Sequence, residues 1–136
     1  MPSTRTTGHF TFADWKESPV GPDTTSPRLA HASVTNAFTG GIEAAGTLCE
    51  YSIVYLSDKT GTFTGMELLT GRLDGREGAF ALEERGTFDA DGTVRCAFEV
   101  VAGSGTGELT GLRGRGEFTA RHGEEAVAYE FTYAWE

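Results

Sequence analysis

Residues 93–101 read TVRCAFEVV, and every second side chain is apolar: Val94, Cys96, Phe98 and Val100 fall on one face, with Thr93, Arg95 and Glu99 on the other. A strand alternates its side chains with period two, so this run predicts a half-buried β-strand whose even positions meet a core. The same pattern continues at 126–135, where Val127, Tyr129, Phe131, Tyr133 and Trp135 share a face opposite Ala128, Glu130 and Thr132. Runs at 8–16, 29–39, 42–57, 62–74, 79–88 and 109–120 bring the count to about eight strands. The short breaks at 58–61, 74–75, 89–92 and 122–123 carry Asp and Gly, which tolerate the positive φ of tight hairpins. The one long connection, ESPVGPDTTSPR at 17–28, holds Pro19, Pro22 and Pro27, which oppose regular pairing.

Sequential hairpins imply an up-and-down meander. An open sheet of this size must cover its apolar face, and the chain has no amphipathic helix with which to do so. Closure covers that face and removes the edges. The expected fold is therefore all-β, a closed antiparallel barrel of about eight strands, with a two-sheet β-sandwich as the alternative. Residues 1–136 read as a single domain.

Composition narrows the partners. Glycine fills 19 of 136 positions, about twice its usual share, as a turn-rich β-protein requires. The net charge of −9 repels phosphate backbones and anionic lipids, so neither nucleic acid nor membrane is an expected partner. Apolar runs are too short to span a bilayer and residues 1–10 lack an apolar signal core, which predicts a cytoplasmic protein. In a reducing compartment the distant Cys49 and Cys96 read as buried thiols, and His9, His31 and His122 are scattered. No metal and no cofactor are expected.

The strand phases also carry polar groups inward. Within 79–88 the phase of Phe80, Leu82 and Phe88 includes Glu84. Within 62–74 the phase of Phe63, Leu69 and Leu73 includes Glu67, against a competing phase through Met66 and Leu68. Over 49–55 the odd phase turns Tyr51 and Tyr55 inward with Cys49 and Ile53. An interior carboxylate is costly unless it is hydrogen-bonded or neutralised. One reading is structural: Glu84 bonds a Tyr hydroxyl, or Arg72 or Arg85, or sits at the mouth in water. The other is functional. Glu84, with Glu67, acts as a general acid or base whose pKa burial has raised, and Tyr51, Tyr55, Tyr129 and Tyr133 donate to a substrate oxygen. Phe98 and Trp15 line the ligand space in that reading.

Two strings reach a known family. GSGTGELTGLRG at 103–114 and GRLDGREGAFAL at 71–82 resemble an uncharacterised bacterial domain family of small allene oxide cyclase-like β-barrels. The resemblance runs from Gly8-His9-Phe10 and Trp15 through Phe38 and Gly40 to 129–133. It implies a barrel lumen suited to isomerisation or cyclisation without a cofactor. This chain departs from the family pattern at Gly40-Gly41, where relatives carry Gly-Asp, and at Glu83-Glu84, where they carry Gln-His. A role of that His is thus altered here or taken by Glu84. The G-x-G-x-G within 103–107 is not a phosphate loop, because no helix follows it, and Ser104 reads as a turn residue.

The expected function is a small-molecule-binding barrel that acts as a cofactor-independent isomerase or cyclase on a small apolar or polyketide-like molecule. The alternatives are a non-catalytic carrier of an apolar ligand, or a structural module with a filled barrel that self-associates into a homo-oligomer.

Overall fold

The computed structural model describes residues 2–136. The strands are β1 (Thr4–Val20), β2 (Arg28–Gly40), β3 (Ile42–Glu43), β4 (Leu48–Tyr55), β5 (Gly61–Leu73), β6 (Arg76–Phe88), β7 (Val94–Val100), β8 (Leu112–Ala120) and β9 (Val127–Trp135). They form one antiparallel sheet in the order β3-β5-β4-β2-β1-β9-β8-β7-β6, and β5 also pairs with β6. That extra pairing makes a ring of eight strands, with the two-residue β3 attached to β5. Asp74 and Gly75, both at positive φ, turn the β5–β6 hairpin in two residues.

Three element boundaries differ from the expectation. The long connection shrinks to 21–27, because β1 runs on to Val20 and Pro19 sits opposite Ala30. From a bulge at Asp14 onward β1 pairs only with β2, and a strand with one free edge tolerates the missing N–H of proline. The run 42–57 is two strands, since Ala44 and Thr47 send their N–H groups to Phe38 and Asn36 of β2. The run 109–120 begins with a 3-10 turn, Gly107–Leu109, whose Leu109 is completely buried and plugs one end of the ring.

The side-chain phases stand as read except at Thr93, which precedes the strand and is buried instead of outward. Cys96, Phe98 and Val100 are buried, as are Val127, Tyr129, Phe131 and Tyr133. The competing phase on β5 faces outward, with Met66 56% and Leu68 57% exposed, so Glu67 points in. Cys49 and Cys96 are buried free thiols. The plugged end is filled by the main core, including Phe38, Ile42, Leu69, Leu73 and Phe80. The other end is lined more thinly, by Ala30, Ala32 and Ile53 with Tyr51, Tyr55, Phe63 and Phe88 around them.

Inward-facing glycines sit opposite aromatic residues on neighbouring strands: Gly8 opposite Tyr129, Gly65 opposite Tyr51, Gly86 opposite Phe63 and Gly116 opposite Phe98. Each ring reaches over the strand that carries the glycine, into a place that a side chain would fill. Among the described residues no helix is long and apolar enough to cross a membrane, a statement that does not concern strands.

Candidate functional site

Opposite the Leu109 plug the ring opens into a cup of about 770 Å³. Its walls come from Val34, Ile53, Tyr55, Phe63, Phe88 and Val94, and its rim from the turns around Asp58, Asp91 and His122. A larger depression of about 1030 Å³ crosses outward-facing charged side chains such as Arg5, Glu83 and Arg115, but it is open surface on the outside of the ring. The interior cup is the place where an apolar molecule leaves water.

Phe10, Asn36, Tyr51 and Phe118 form the floor of the cup and also line a void of about 10 Å³ beneath it, together with Glu67 and Glu84. A void of that size holds a single water-sized group. Glu84 is 4% exposed and Glu67 2% exposed, so both carboxyl groups lie one layer below the floor. Glu67 stands opposite Leu82, and Glu84 stands opposite Gly65, which makes the two carboxyls diagonal neighbours on β5 and β6.

The pairing register explains how Tyr51 reaches them. Tyr51 on β4 is opposite Gly65 on β5, and Gly65 is opposite Glu84 on β6. The phenol passes over the glycine and donates to Glu84 Oε1 at 2.9 Å. The Cys96 thiol donates weakly to the same oxygen at 3.9 Å. Glu67 Oε2 accepts from Thr47 Oγ1 at 2.5 Å and from Asn36 Nδ2 at 2.8 Å. Glu84 Oε2 is buried and receives no hydrogen bond from any donor among the described residues.

Burial raises the Glu84 pKa well above the usual carboxylate range, and the hydrogen bond and charge of Glu67 raise it further. Tyr51 and Cys96 oppose the shift by hydrogen-bonding the charged form. A proton on Glu84 gives its orphan oxygen a role, as donor toward Glu67. Tyr51 is also raised, by burial and then by the Glu84 charge. Cys49 Sγ and one oxygen of each carboxyl lie within 4.8 Å of one another, a spacing at which the three groups could gather a metal ion. Burial pushes the Cys49 thiol up, so without a cation it holds its proton.

At the rim, Glu17 accepts from Tyr55 Oη at 2.6 Å and from Trp15 Nε1 at 3.1 Å. The Arg28 guanidinium lies 3.8 Å above the Tyr55 ring. Trp15 is 48% exposed and sits 6.2 Å from the Tyr51 ring.

Glu84, Glu67 and Tyr51 are therefore brought together, with Tyr55 and Trp15 at the mouth above them. Tyr129, Tyr133 and Phe98 lie outside the cup. The Tyr129 hydroxyl accepts from Ile42 N–H at 2.8 Å and donates to the Thr39 carbonyl at 3.0 Å. Tyr133 donates to Asp74, and Phe98 stacks on Phe131 at 5.8 Å. Arg72 and Arg85 are exposed, so the partner of Glu84 is a phenol. Ser104 accepts from Ala81 N–H at 3.0 Å, the structural role of a turn residue.

Sequence reasoning missed Asn36 and Thr47. Asn36 was within reach, since it is the polar member of the inward phase Ala32, Val34 and Phe38. Thr47 lies in a connection and has no phase to betray it.

Fold and site together define a class: an eight-stranded antiparallel ring, plugged at one end and open at the other, with a buried carboxyl pair beneath the floor of its cup. The model of the family described as "Protein of unknown function (DUF3224)" matches residues 6–133, and the chain belongs to that family. A crystal structure of a DUF3224 protein of unknown function from Shewanella oneidensis MR-1 is similar at 29% identity and a TM-score of 0.77, covering 99% of each chain. Comparison with curated proteins gives no match.

Proposed function

We propose that the ring serves as a β-barrel container that binds one small, mostly apolar molecule in its cup. The observation that carries this reading is the cup itself, about 770 Å³ of largely apolar wall above a floor with a single phenol. A barrel filled by its own side chains would leave no such space, and only the plugged end of this ring is filled that way.

The test uses the uncharged fluorophore N-phenyl-1-naphthylamine, which brightens on leaving water. Saturable one-to-one binding is expected. Ala120→Trp and Val94→Trp each put an indole into the cup and should weaken binding about tenfold or more. Two substitutions guard against one that merely unfolds the chain. Absence of saturable binding, or binding indifferent to both tryptophans, overturns the reading.

A second reading has its own support. Tyr51 joins the cup to a carboxyl that stays protonated at neutral pH, which suits cofactor-independent isomerisation or cyclisation of the allene oxide cyclase-like kind. Tyr51 touches the substrate, while Glu84 and Glu67 position it and hold a proton behind it. Native mass spectrometry of protein taken from its host names the bound molecule. Turnover lost in Glu84→Gln with binding retained indicates catalysis, and unchanged behaviour indicates a carrier.

A further inference from the structure

The polar groups of the cup say which charge it prefers, an inference that rests on the cup being a ligand site. Its walls, floor and rim carry four polar side chains, Tyr51, Asn36, Tyr55 and Trp15, and each turns a polar hydrogen onto a carboxyl oxygen that lies outside the cup. Tyr51 donates to Glu84 at 2.9 Å, Asn36 to Glu67 at 2.8 Å, Tyr55 to Glu17 at 2.6 Å and Trp15 to Glu17 at 3.1 Å. What remains for a ligand is the acceptor side of two phenols, the amide oxygen and second amide hydrogen of Asn36, and the faces of aromatic rings. A phenol that donates to a carboxyl becomes a better acceptor, because hydrogen bonds in a chain polarise one another. Ring faces carry the negative side of the aromatic quadrupole.

The surroundings carry the same sign. Around the mouth stand Asp58, Asp89, Asp91 and Glu124 against Lys59 and Arg121. Asp89 is paired with Arg95 at 2.6 Å, and the other three remain an acidic surplus over the two bases. Beside the cup the molecule already holds a cation in this manner, the Arg28 guanidinium on the Tyr55 ring. An anionic ligand would meet acceptors on the walls and floor and, at the mouth, more carboxylates than the Lys59 and Arg121 cations offset.

We propose that the cup selects an apolar amine, a molecule whose hydrophobic body fills the cavity and whose protonated nitrogen sits against the Tyr51 oxygen and the rings around it. Glu17 does not touch this ligand. It fixes Trp15 and Tyr55 and is a positioning residue.

The experiment compares three ligands on one skeleton, 2-naphthylmethylamine, 2-naphthylmethanol and 2-naphthoate, by displacement of bound N-phenyl-1-naphthylamine at neutral pH and physiological salt. The amine is expected to displace at a concentration about tenfold below that of the alcohol, with the naphthoate weakest. Tyr51→Phe, which keeps the ring and removes the acceptor, should shrink the preference for amine over alcohol. Glu17→Gln, which loosens Trp15 and Tyr55, should shrink it about threefold. Ala120→Trp controls for attraction to the acidic exterior, and a preference for amine that survives the blocked cup overturns the proposal. Equal displacement by amine and alcohol, or strongest displacement by naphthoate, also overturns it while the container reading stands. If the fluorophore itself does not bind, both fall.

Discussion

At 4% exposure Glu84 gives up its proton less readily than it would in an unfolded chain, and that difference is a statement about stability. Its folded pKa is pushed from 4.5 to about 10, first by burial and then by Glu67. Stability from the held proton is fully present below the unfolded value and is lost as pH rises toward the folded one. The slope reaches at most about 1.4 kcal/mol per pH unit. The urea midpoint of the wild-type chain should therefore fall between about pH 5.5 and about pH 8, a window below the titration of an unfolded thiol. Glu84→Gln keeps the hydrogen bond from Tyr51 without a titrating proton, so its midpoint should be flatter over that window and higher at its alkaline end. Parallel profiles for the two proteins would remove the protonated pair from the account. Thr47→Val takes a donor from Glu67 and an acceptor from Asn36 N–H, and should cost about 1–3 kcal/mol in the same assay. The inward placement of Glu84 and Glu67 was legible because period two leaves a strand residue no third choice. What they touch was not legible, since Tyr51 reaches Glu84 across a strand that lies between them.

The strand between them is passable because of Gly65, and this is where elements rather than residues decide the site. A Cβ at position 65 would stand 2.3 Å from the Glu50 carbonyl oxygen and 2.5 Å from the Tyr51 ring. The first contact is with backbone and no rotamer relieves it. Gly65→Ala should cost about 1–3 kcal/mol and lower Tm by about 2–10 °C. It should also lift the phenol off Glu84, which a shift in tyrosine ultraviolet absorbance would report. A variant that melts with the wild type and keeps its tyrosine spectrum would show that the close approach is not needed. Composition signalled turns through the high glycine content, yet several of these glycines belong to strand interiors opposite rings. That role depends on register, which pairs residues far apart in sequence. The boundaries misread from sequence share this cause. Pro19 continues a strand because the neighbour on one side has ended, and 42–57 divides because Ala44 and Thr47 find partners on β2.

Closure of the ring is a property of the whole molecule, and alternating phases cannot distinguish it from a sandwich, in which strands also show one face to a core. It rests on β1 meeting β9 over seven register pairs, from Thr4↔Tyr133 to Phe10↔Val127, which joins the two ends of the chain. Residues 4–7 of β1 have β9 as their one strand partner. Removing residues 1–7 would strip Thr4, Arg5, Thr6 and Thr7 from their places opposite Tyr133, Thr132, Phe131 and Glu130. That leaves half of β9 with unpaired N–H and C=O groups beside large apolar side chains, a template for a second chain. The shortened protein should melt below the full chain and form larger species as its concentration rises, measured by light scattering during gel filtration. Thr6→Pro perturbs the same pairing without shortening the chain and should move both readouts in the same direction by less. A truncated chain with the size and Tm of the full one would mean that the three remaining β1–β9 pairs, Gly8↔Tyr129 to Phe10↔Val127, together with the other seven strand pairings are enough to hold the cup. The first four β1–β9 pairs would then be dispensable for the stability of the ring.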